Sequence, residues 1–273
     1  MRMMVKSQLA GVALLAMAAG MSTGNDQQGQ REGEHVTRGL DAAQHAQTTS
    51  ARGKWEPSKA FPMPMEEPVG VALNGRLYLF QGLTDGGFQP MGVVYVYDPA
   101  TNEWTKKNPM PMAVHHAMTA VAGGKVYVFG GFSRPGKELA WQPIDNAWEY
   151  TADTDTWKAL APLPSKRGAG GAAEVNGKIY VIGGASILPG AADPAIRFDG
   201  QPRDHIVGTN EEYDPATNTW DGGLPRMRIP RHGFAGAVIG DQLHVAAGGI
   251  QTAGIPGAVI YTDTHDVFDF TKN

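Results

Sequence analysis

Four segments of the chain share one pattern, in which a turn dipeptide precedes an apolar or alternating run that ends at glycine. These segments are residues 74–82, 123–131, 176–184 and 240–248. An Asn-Gly or Gly-Gly dipeptide supplies the positive φ angles of a tight hairpin turn, and the run that follows has the pattern of a buried strand. The pattern therefore predicts four hairpins, each with one strand before the turn and one after it.

A second pattern follows the first three hairpins and consists of a tyrosine and a tryptophan seven residues apart. The pairs are Tyr97 and Trp104, Tyr150 and Trp157, and Tyr213 and Trp220. Turn-forming residues lie between the members of each pair, such as Asp-Pro-Ala-Thr-Asn at 98–102. Each unit is thus predicted to hold four strands, labelled A to D. Strands A and B flank the hairpin turn, C ends at the tyrosine and the residue after it, and D carries the tryptophan.

The units recur with periods of 49, 53 and 64 residues, counted between Gly82, Gly131, Gly184 and Gly248. Four-stranded units of about 40–50 residues in series predict a β-propeller. The fourth unit has no Tyr–Trp strand D, whereas Lys54-Trp55-Glu56, followed by Phe61, resembles an unattached one. The predicted fold is all-β: a propeller of about four antiparallel four-stranded blades, closed by this N-terminal strand, which would cover the open edge of blade four.

The glycine pairs, the Tyr-Asp steps and the tryptophans resemble the repeats of the kelch family over residues 53–273. Gln81 and Ala247 depart from the family pattern, because each stands where the first glycine of a pair is expected. The resemblance implies a kelch-type propeller. It also implies that an arginine before strand A lines the mouth of the central channel and contacts ligand. Only Arg167 and Arg231 match that position.

The predicted connections place all long loops on one face of the propeller. In an antiparallel blade the A–B and C–D turns lie on one face, and the B–C and D–A connections lie on the other. The B–C loops span residues 83–91, 132–144, 185–207 and 249–262. The third carries Arg197 and Arg203, and is either a binding loop or a solvated insertion. Trp141 in the second loop is expected to pack against a blade rather than to bind a sugar or a peptide.

The D–A connections bring further polar side chains to that face, at the channel mouth. The candidate ligand-binding residues are Glu67, His115, His116, Arg167, Arg197, Arg203, Arg231 and His232. The alternative is that these residues cap strand ends and pair with one another. No metal site is predicted, because adjacent residues of a strand such as His115 and His116 point to opposite faces. A convergence of Glu67, His116 and His232 across the channel is compatible with the pattern.

Composition excludes several classes of protein. The chain has no cysteine, which rules out disulfides, thiolate metal sites and cysteine nucleophiles. Its formal net charge of −4 argues against a nucleic-acid ligand. Neither a phosphate-binding loop nor an H-E-x-x-H metal motif occurs in the chain, and no cofactor is predicted.

The N-terminal residues have the pattern of a targeting segment. Arg2 and Lys6 precede an apolar run at 9–19, and small residues follow it, as in a secretory signal peptide. An uncleaved amphipathic N-terminus is the alternative. Residues 1–20 are therefore interpreted as a signal peptide, 21–52 as a disordered tether and 53–273 as the propeller. The mature chain is expected to be secreted or periplasmic, with no integral membrane segment.

Two functions remain open on this basis. The favoured one is a binding or interaction module for a protein or a carbohydrate, because nothing in the chain demands catalysis. The alternative is a periplasmic sugar epimerase or mutarotase, because the chain also resembles bacterial sialic-acid epimerases built on kelch propellers. Such an enzyme would use Glu67 and His116 as its acid and base. Copper oxidase chemistry of the galactose oxidase kind is rejected, since its cofactor requires a cysteine linked to a tyrosine.

Export can be tested on the protein made in a bacterial host. We expect the mature chain to begin near residues 19–21, because the small residues 16–20 offer the cleavage site. The intact mass of the periplasmic protein measures this directly. A periplasmic chain that retains Met1 would contradict the signal-peptide interpretation.

Overall fold

The computed structural model describes residues 54–84, 89–134, 140–187, 196–197, 204–251 and 259–272. Every regular element in these residues is a β-strand, which confirms the all-β prediction, and no helix able to cross a bilayer occurs among them. Residues 54–60 belong to a different unit from the strands that follow them.

Four antiparallel sheets, one for each sequence repeat, form the blades of a propeller. Within the first three blades the strands are hydrogen-bonded in the order A, B, C, D, and blade four shows strands A, B and C. The strands are Val69–Leu73, Arg76–Phe80, Val94–Asp98 and Glu103–Lys106 in blade one; Met118–Ala122, Lys125–Phe129, Ala147–Thr151 and Thr156–Ala159 in blade two; Gly171–Val175, Lys178–Ile182, Asn210–Asp214 and Thr219–Asp221 in blade three; and Ala235–Ile239, Gln242–Ala246 and His265–Asp269 in blade four.

Neighbouring blades pack face to face through aromatic side chains. The tyrosine at the third position of strand B points at the next blade. The ring of Tyr78 lies 6.3 Å from that of Tyr150, and the ring of Tyr127 lies 6.2 Å from that of Tyr213. Strand A of each blade also packs against strand A of the next. The A strands therefore lie innermost, and the tryptophan-bearing D strands form the outer edges of blades one to three.

The Tyr–Trp pairs connect each blade to the one before it. In blade three the buried Tyr213 hydroxyl donates to Asn218 Oδ1 (2.7 Å), and the same oxygen accepts from the backbone N–H of Ala161 at the end of blade two (2.8 Å). Trp220 Nε1 donates to the carbonyl of Ala161 (3.0 Å). Blade two has the same arrangement with Asp155 in place of Asn218. The seven-residue spacing thus sets the C–D turn and also places the tyrosine and tryptophan so that both contact the preceding blade.

The N-terminal strand predicted to close blade four is not formed at residues 54–56. Lys54-Trp55-Glu56 forms no strand, and Trp55 is fully exposed. Phe61 instead packs edge-on against Tyr95 and Trp104 of blade one, with ring centroids 5.0 Å apart in both contacts. Phe61 is therefore half-buried against the aromatic pair at the edge of blade one.

The outward face of blade four is partly apolar and exposed. Ile239 is 64% exposed and Val267 is 45% exposed, whereas Val175, which matches Ile239 in blade three, is 6% exposed. His244 occupies the position of the interblade tyrosine. Blade four thus lacks, in the described part of the chain, the neighbour that covers this face in the other blades.

We expect Asn218→Ala to lower the free energy of unfolding by about 2–3 kcal/mol. The change removes the acceptor for one buried hydroxyl and one backbone N–H, and it leaves alanine at a φ of 57°. The matched control is Asn218→Asp, which keeps both acceptor contacts as Asp155 does in blade two. Urea denaturation of both variants tests the contact, and equal losses of stability would contradict it.

Candidate functional site

The residue two positions before strand A has a left-handed backbone in every blade. These residues are Glu67, His116, Ala169 and Gly233, with φ angles of 54°, 53°, 57° and 58°. Ala169 N donates to the carbonyl of His116, and Gly233 N donates to that of Ala169, each at 2.8 Å. We name these four residues the inner rim. The conformation suits glycine and costs other residues free energy. Blades one and two nonetheless place large titratable side chains there. Strained backbone conformations of this kind are common at functional sites.

Three titratable side chains meet at the inner rim of blades one and two. His115 Nδ1 lies 2.5 Å from His116 Nδ1, and His116 Nδ1 lies 3.2 Å from Glu67 Oε2. The sequence-based argument that His115 and His116 point apart is wrong. It assumed a regular strand, whereas His115 is held in an isolated bridge to Phe132 and His116 has a positive φ that ends the alternation.

His115 is buried between aromatic rings of the second B–C loop. Its ring centroid lies 3.9 Å from that of Trp141 and 5.5 Å from that of Phe132. Two backbone hydrogen bonds with Phe132, of 3.0 and 2.9 Å, fix its main chain. Trp141 is 9% exposed, so it packs as the sequence favoured. These contacts hold His115 beside His116.

Gln81 anchors blade one to the other side of the site. Its Nε2 donates to the carbonyl of Ala117 (3.0 Å), and its Oε1 accepts from the N–H of Ala117 (2.8 Å). The side chain is fully buried. Sequence reasoning treated Gln81 only as a departure from glycine and missed this role. The available signal was a long amide side chain at a position where the other repeats have Gly or Ala.

Burial keeps the site close to neutral. It lowers the pKa of His115 to about 2 and that of His116 to about 4, with smaller contributions from the charges of His116 and His232 respectively. Burial, followed by repulsion from Glu66, raises the pKa of Glu67 to about 7. Both imidazoles are therefore uncharged at neutral pH, and the contact between His116 and Glu67 is not an ion pair of two full charges.

Arg167 and Arg231 lie inside the blades rather than at the channel mouth. The side chains of both are fully buried. Arg167 donates to the carbonyls of Gly183 (3.1 Å) and Val181 (3.2 Å) and pairs with Glu211 of strand C (2.6 Å). Arg231 makes the corresponding ion pair with Asp266. These contacts tie strands B and C together, and we therefore leave both arginines out of the ligand-contacting set.

The other candidate residues have separate positions. His232 is held by two backbone hydrogen bonds to Gly249, and its buried Nε2 has no hydrogen-bond partner among the described residues. Arg197 lies in the short strand Ile196–Arg197, which pairs with Ala140–Pro143 of the preceding B–C loop. Arg203 lies outside the described residues.

The described parts of the B–C loops form a surface above the blades. Four buried apolar side chains from the first three loops pack into one small cluster, together with the partly buried Ala169 and Ile187. The cluster consists of Leu83, Phe132, Trp141 and Ala185. Short strands pair within the second, third and fourth loops: Phe132–Ser133 with Ala140–Pro143, Ala185–Ile187 with Asp204–Ile206, and Gly249–Gln251 with Val259–Tyr261. Met65–Glu66 pairs with Leu83–Thr84 of the first loop, and Ala140–Pro143 also pairs with Ile196–Arg197, which joins the second loop to the third. We name this surface the loop face; the inner rim lies at its centre.

Comparison with known families gives one match over most of the chain. The family model of the KLHDC2/KLHL20/DRC7 Kelch-repeats domain matches residues 43–249. Kelch-like protein terF of Aspergillus terreus is 28% identical over 209 residues, which cover 73% of this chain and 43% of that protein. N-acetylneuraminate epimerase of Haemophilus influenzae is 29% identical over 229 residues, which cover 75% of this chain and 58% of the enzyme. The chain thus spans less than two thirds of either relative.

A solved structure shares the fold. The structure of YjhT superimposes with a TM-score of 0.62 and 23% sequence identity, over 79% of this chain and 65% of the other. The match confirms the predicted propeller architecture.

We expect Arg167→Ala to lower the free energy of unfolding by about 3–5 kcal/mol, because it leaves Glu211 as a buried charge without its partner. The neighbouring Lys166→Ala is the control, since Lys166 is exposed and its loss should change stability by no more than about 0.5 kcal/mol. Guanidinium denaturation measures both. Wild-type stability in Arg167→Ala, combined with loss of ligand affinity, would return this arginine to the channel mouth.

Proposed function

The chain belongs to the kelch-repeat family, and on that premise we propose that it is a binding protein that receives a carbohydrate or protein ligand on the loop face, at the inner rim. One observation carries the proposal. The loop face is built on its own apolar cluster, and it surrounds polar side chains that the fold itself does not fully satisfy. Loops held by a rigid scaffold are where binding residues collect.

The unsatisfied polar atoms are specific. Glu67 Oε2, His115 Nε2 and His232 Nε2 are buried without a hydrogen-bond partner among the described residues. Such atoms carry a desolvation cost unless a partner reaches them. A ligand with hydroxyl or amide groups at the inner rim supplies those partners. A carbohydrate and a polar protein loop both have this chemistry.

We extend the proposal to the location of the protein. The charged start, the apolar run at 9–19 and the small residues after it support export. Binding would then take place in the periplasm or outside the cell.

A sugar epimerase is the second candidate. It is favoured by the resemblance to N-acetylneuraminate epimerase and by the 3.2 Å approach of His116 Nδ1 to Glu67 Oε2, which places a possible acid and base side by side. In that case the chain would interconvert the anomers of its sugar as well as bind it.

The binding proposal is tested with an untagged full-length chain in buffer that contains EDTA. Glycans retained on an array, and N-acetylneuraminate itself, are titrated by calorimetry against the wild type and His232→Ala. We expect His232→Ala to weaken binding by up to about tenfold, as the loss of one hydrogen bond does. The matched control is Asn176→Gly on the opposite face, which keeps its positive φ turn and should keep wild-type affinity.

The same titrations separate the alternatives. Loss of affinity in Asn176→Gly but not in His232→Ala would place the ligand on the wrong face and refute the proposal. An epimerase would accelerate exchange between the anomers of N-acetylneuraminate, measured by proton NMR. Glu67→Gln would then abolish the acceleration while binding persisted, because a proton-transfer group acts mainly in the transition state.

A further inference from the structure

We propose that Glu67, His115 and His116 form a binding site for one divalent transition-metal ion, with Zn²⁺ as the reference ion. The site goes beyond the ligand docking proposed above and does not depend on it. Each of the three residues offers one ligand atom, and these atoms all lie within 4.8 Å of one another. No other group of three such residues within reach of one ion occurs in the described part of the chain.

Two of the three distances between the ligand atoms are close to those of a zinc site. A tetrahedral zinc site with bonds of about 2.0–2.2 Å holds its ligand atoms about 3.3 Å apart. The Glu67 Oε2 to His116 Nδ1 distance of 3.2 Å already matches. The two Nδ1 atoms are 2.5 Å apart and would have to separate by about 0.8 Å, with the ion in place of the shared hydrogen.

The protein holds these side chains in place even though no partner within the fold satisfies them. Glu67 Oε2 and His115 Nε2 are buried without a hydrogen-bond partner among the described residues. His115 is fixed by Phe132 and Trp141, and the residue after His116 is fixed by Gln81. Glu67 and His116 also bear the cost of a left-handed backbone, at a position where blades three and four have Ala169 and Gly233. A metal ion bound by Glu67 Oε2 and the two Nδ1 atoms would give that buried carboxylate oxygen a partner.

The donor set selects the class of ion. Two imidazoles and one carboxylate suit zinc, copper, nickel and iron. Calcium prefers six to eight oxygens, and magnesium needs octahedral oxygen coordination with most waters retained, so neither is favoured. Three protein ligands leave one coordination position open. The side chains of His116 and Glu67 are 25% and 28% exposed, so this position faces the channel mouth.

A chain with this metal ion bound cannot also use Glu67 and His116 for epimerase chemistry. A carboxylate and an imidazole that bind the ion cannot act as a free acid and base. It leaves the binding proposal intact, since His232 is not among the three ligands.

The untagged full-length chain is stripped with EDTA, mixed with Zn²⁺, Co²⁺ or Mg²⁺, and desalted. Metal content is then measured by elemental analysis. We expect one equivalent of Zn²⁺ or Co²⁺ per chain and no retained Mg²⁺. Bound Co²⁺ should show the intense visible d–d absorption of a tetrahedral site, in contrast to the weak absorption of hydrated Co²⁺.

Two variants test the metal ligands, so that the result does not depend on one substitution that could disturb folding. Glu67→Gln keeps the size of the side chain and should weaken Zn²⁺ affinity at least tenfold, since even residues that only orient ligands cost about 10–100-fold. His116→Gly places at the inner rim the residue that blade four has there, Gly233. It should lose the equivalent while the Tm stays at or above that of the wild type.

The chain offers a matched control. His244 Nδ1 and His265 Nε2 lie 3.0 Å apart on blade four, a second histidine pair with no carboxylate grouped with it. His244→Ala should retain the full equivalent, and so should the double variant His35→Ala/His45→Ala. The site is refuted if the wild type retains no Zn²⁺, if Glu67→Gln and His116→Gly both keep it, or if either histidine control loses it. Because the ligand titrations above are run in EDTA, failure of either proposal leaves the other standing.

Discussion

The close approach of each blade's closing glycines to the start of the next blade is the constraint on which the rest of the structure depends. Gly131 N donates to the carbonyl of Arg167 (2.9 Å), and Gly184 N donates to that of Arg231 (3.0 Å). A Cβ on Gly130 would lie 2.3 Å from the Arg167 carbonyl oxygen, so a side chain at this position cannot be accommodated without moving the backbone. This contact brings the centres of blades two, three and four close together, beside the left-handed residues of the inner rim. In blade one Gln81 stands in place of the first glycine of the pair, and its side chain makes the contact to the next blade through Ala117. The rim residues on either side of this contact are Glu67 and His116.

Much of the fold could be predicted from the sequence, because propeller blades repeat their chemistry. The turn dipeptides reflect the need for a positive φ in the hairpin turn. The Tyr–Trp spacing reflects a buried tyrosine hydroxyl whose acceptor lies five residues further along the chain. The N-terminal tryptophan misled the prediction because its neighbours resemble strand D, whereas strand pairing also depends on which edge is within reach. Phe61 is satisfied by Tyr95 and Trp104, a contact between distant residues that no local pattern encodes.

The candidate site was predicted only in part. The sequence placed Glu67, His116 and His232 at the centre of the loop face, and the structure brings Glu67 and His116 together. The sequence could not show that His115 joins them, because this depends on the left-handed backbone of His116. The signal was available in the repeats. Aligning His115 with His232 places His116 opposite Gly233, which indicates that His116 has a left-handed backbone. The buried arginines were misjudged for a related reason: their acid partners, Glu211 and Asp266, lie 44 and 35 residues further along the chain.

The exposed outward face of blade four has a consequence for how the molecule comes apart. In a row of repeats, each unit is stabilised by its own sheet and by the interfaces it shares with its neighbours. In the described residues blade four has three strands where the others have four, and Ile239 and Val267 on its outward face are exposed. Among the described blades it therefore has the smallest share of stabilising contacts, and we expect it to open first, while blades two and three, each covered on both sides, open later. Because Glu67, His115 and His116 lie at the junction of blades one and two, the chemistry at the inner rim is placed in the part of the molecule that outlasts local unfolding at the other end.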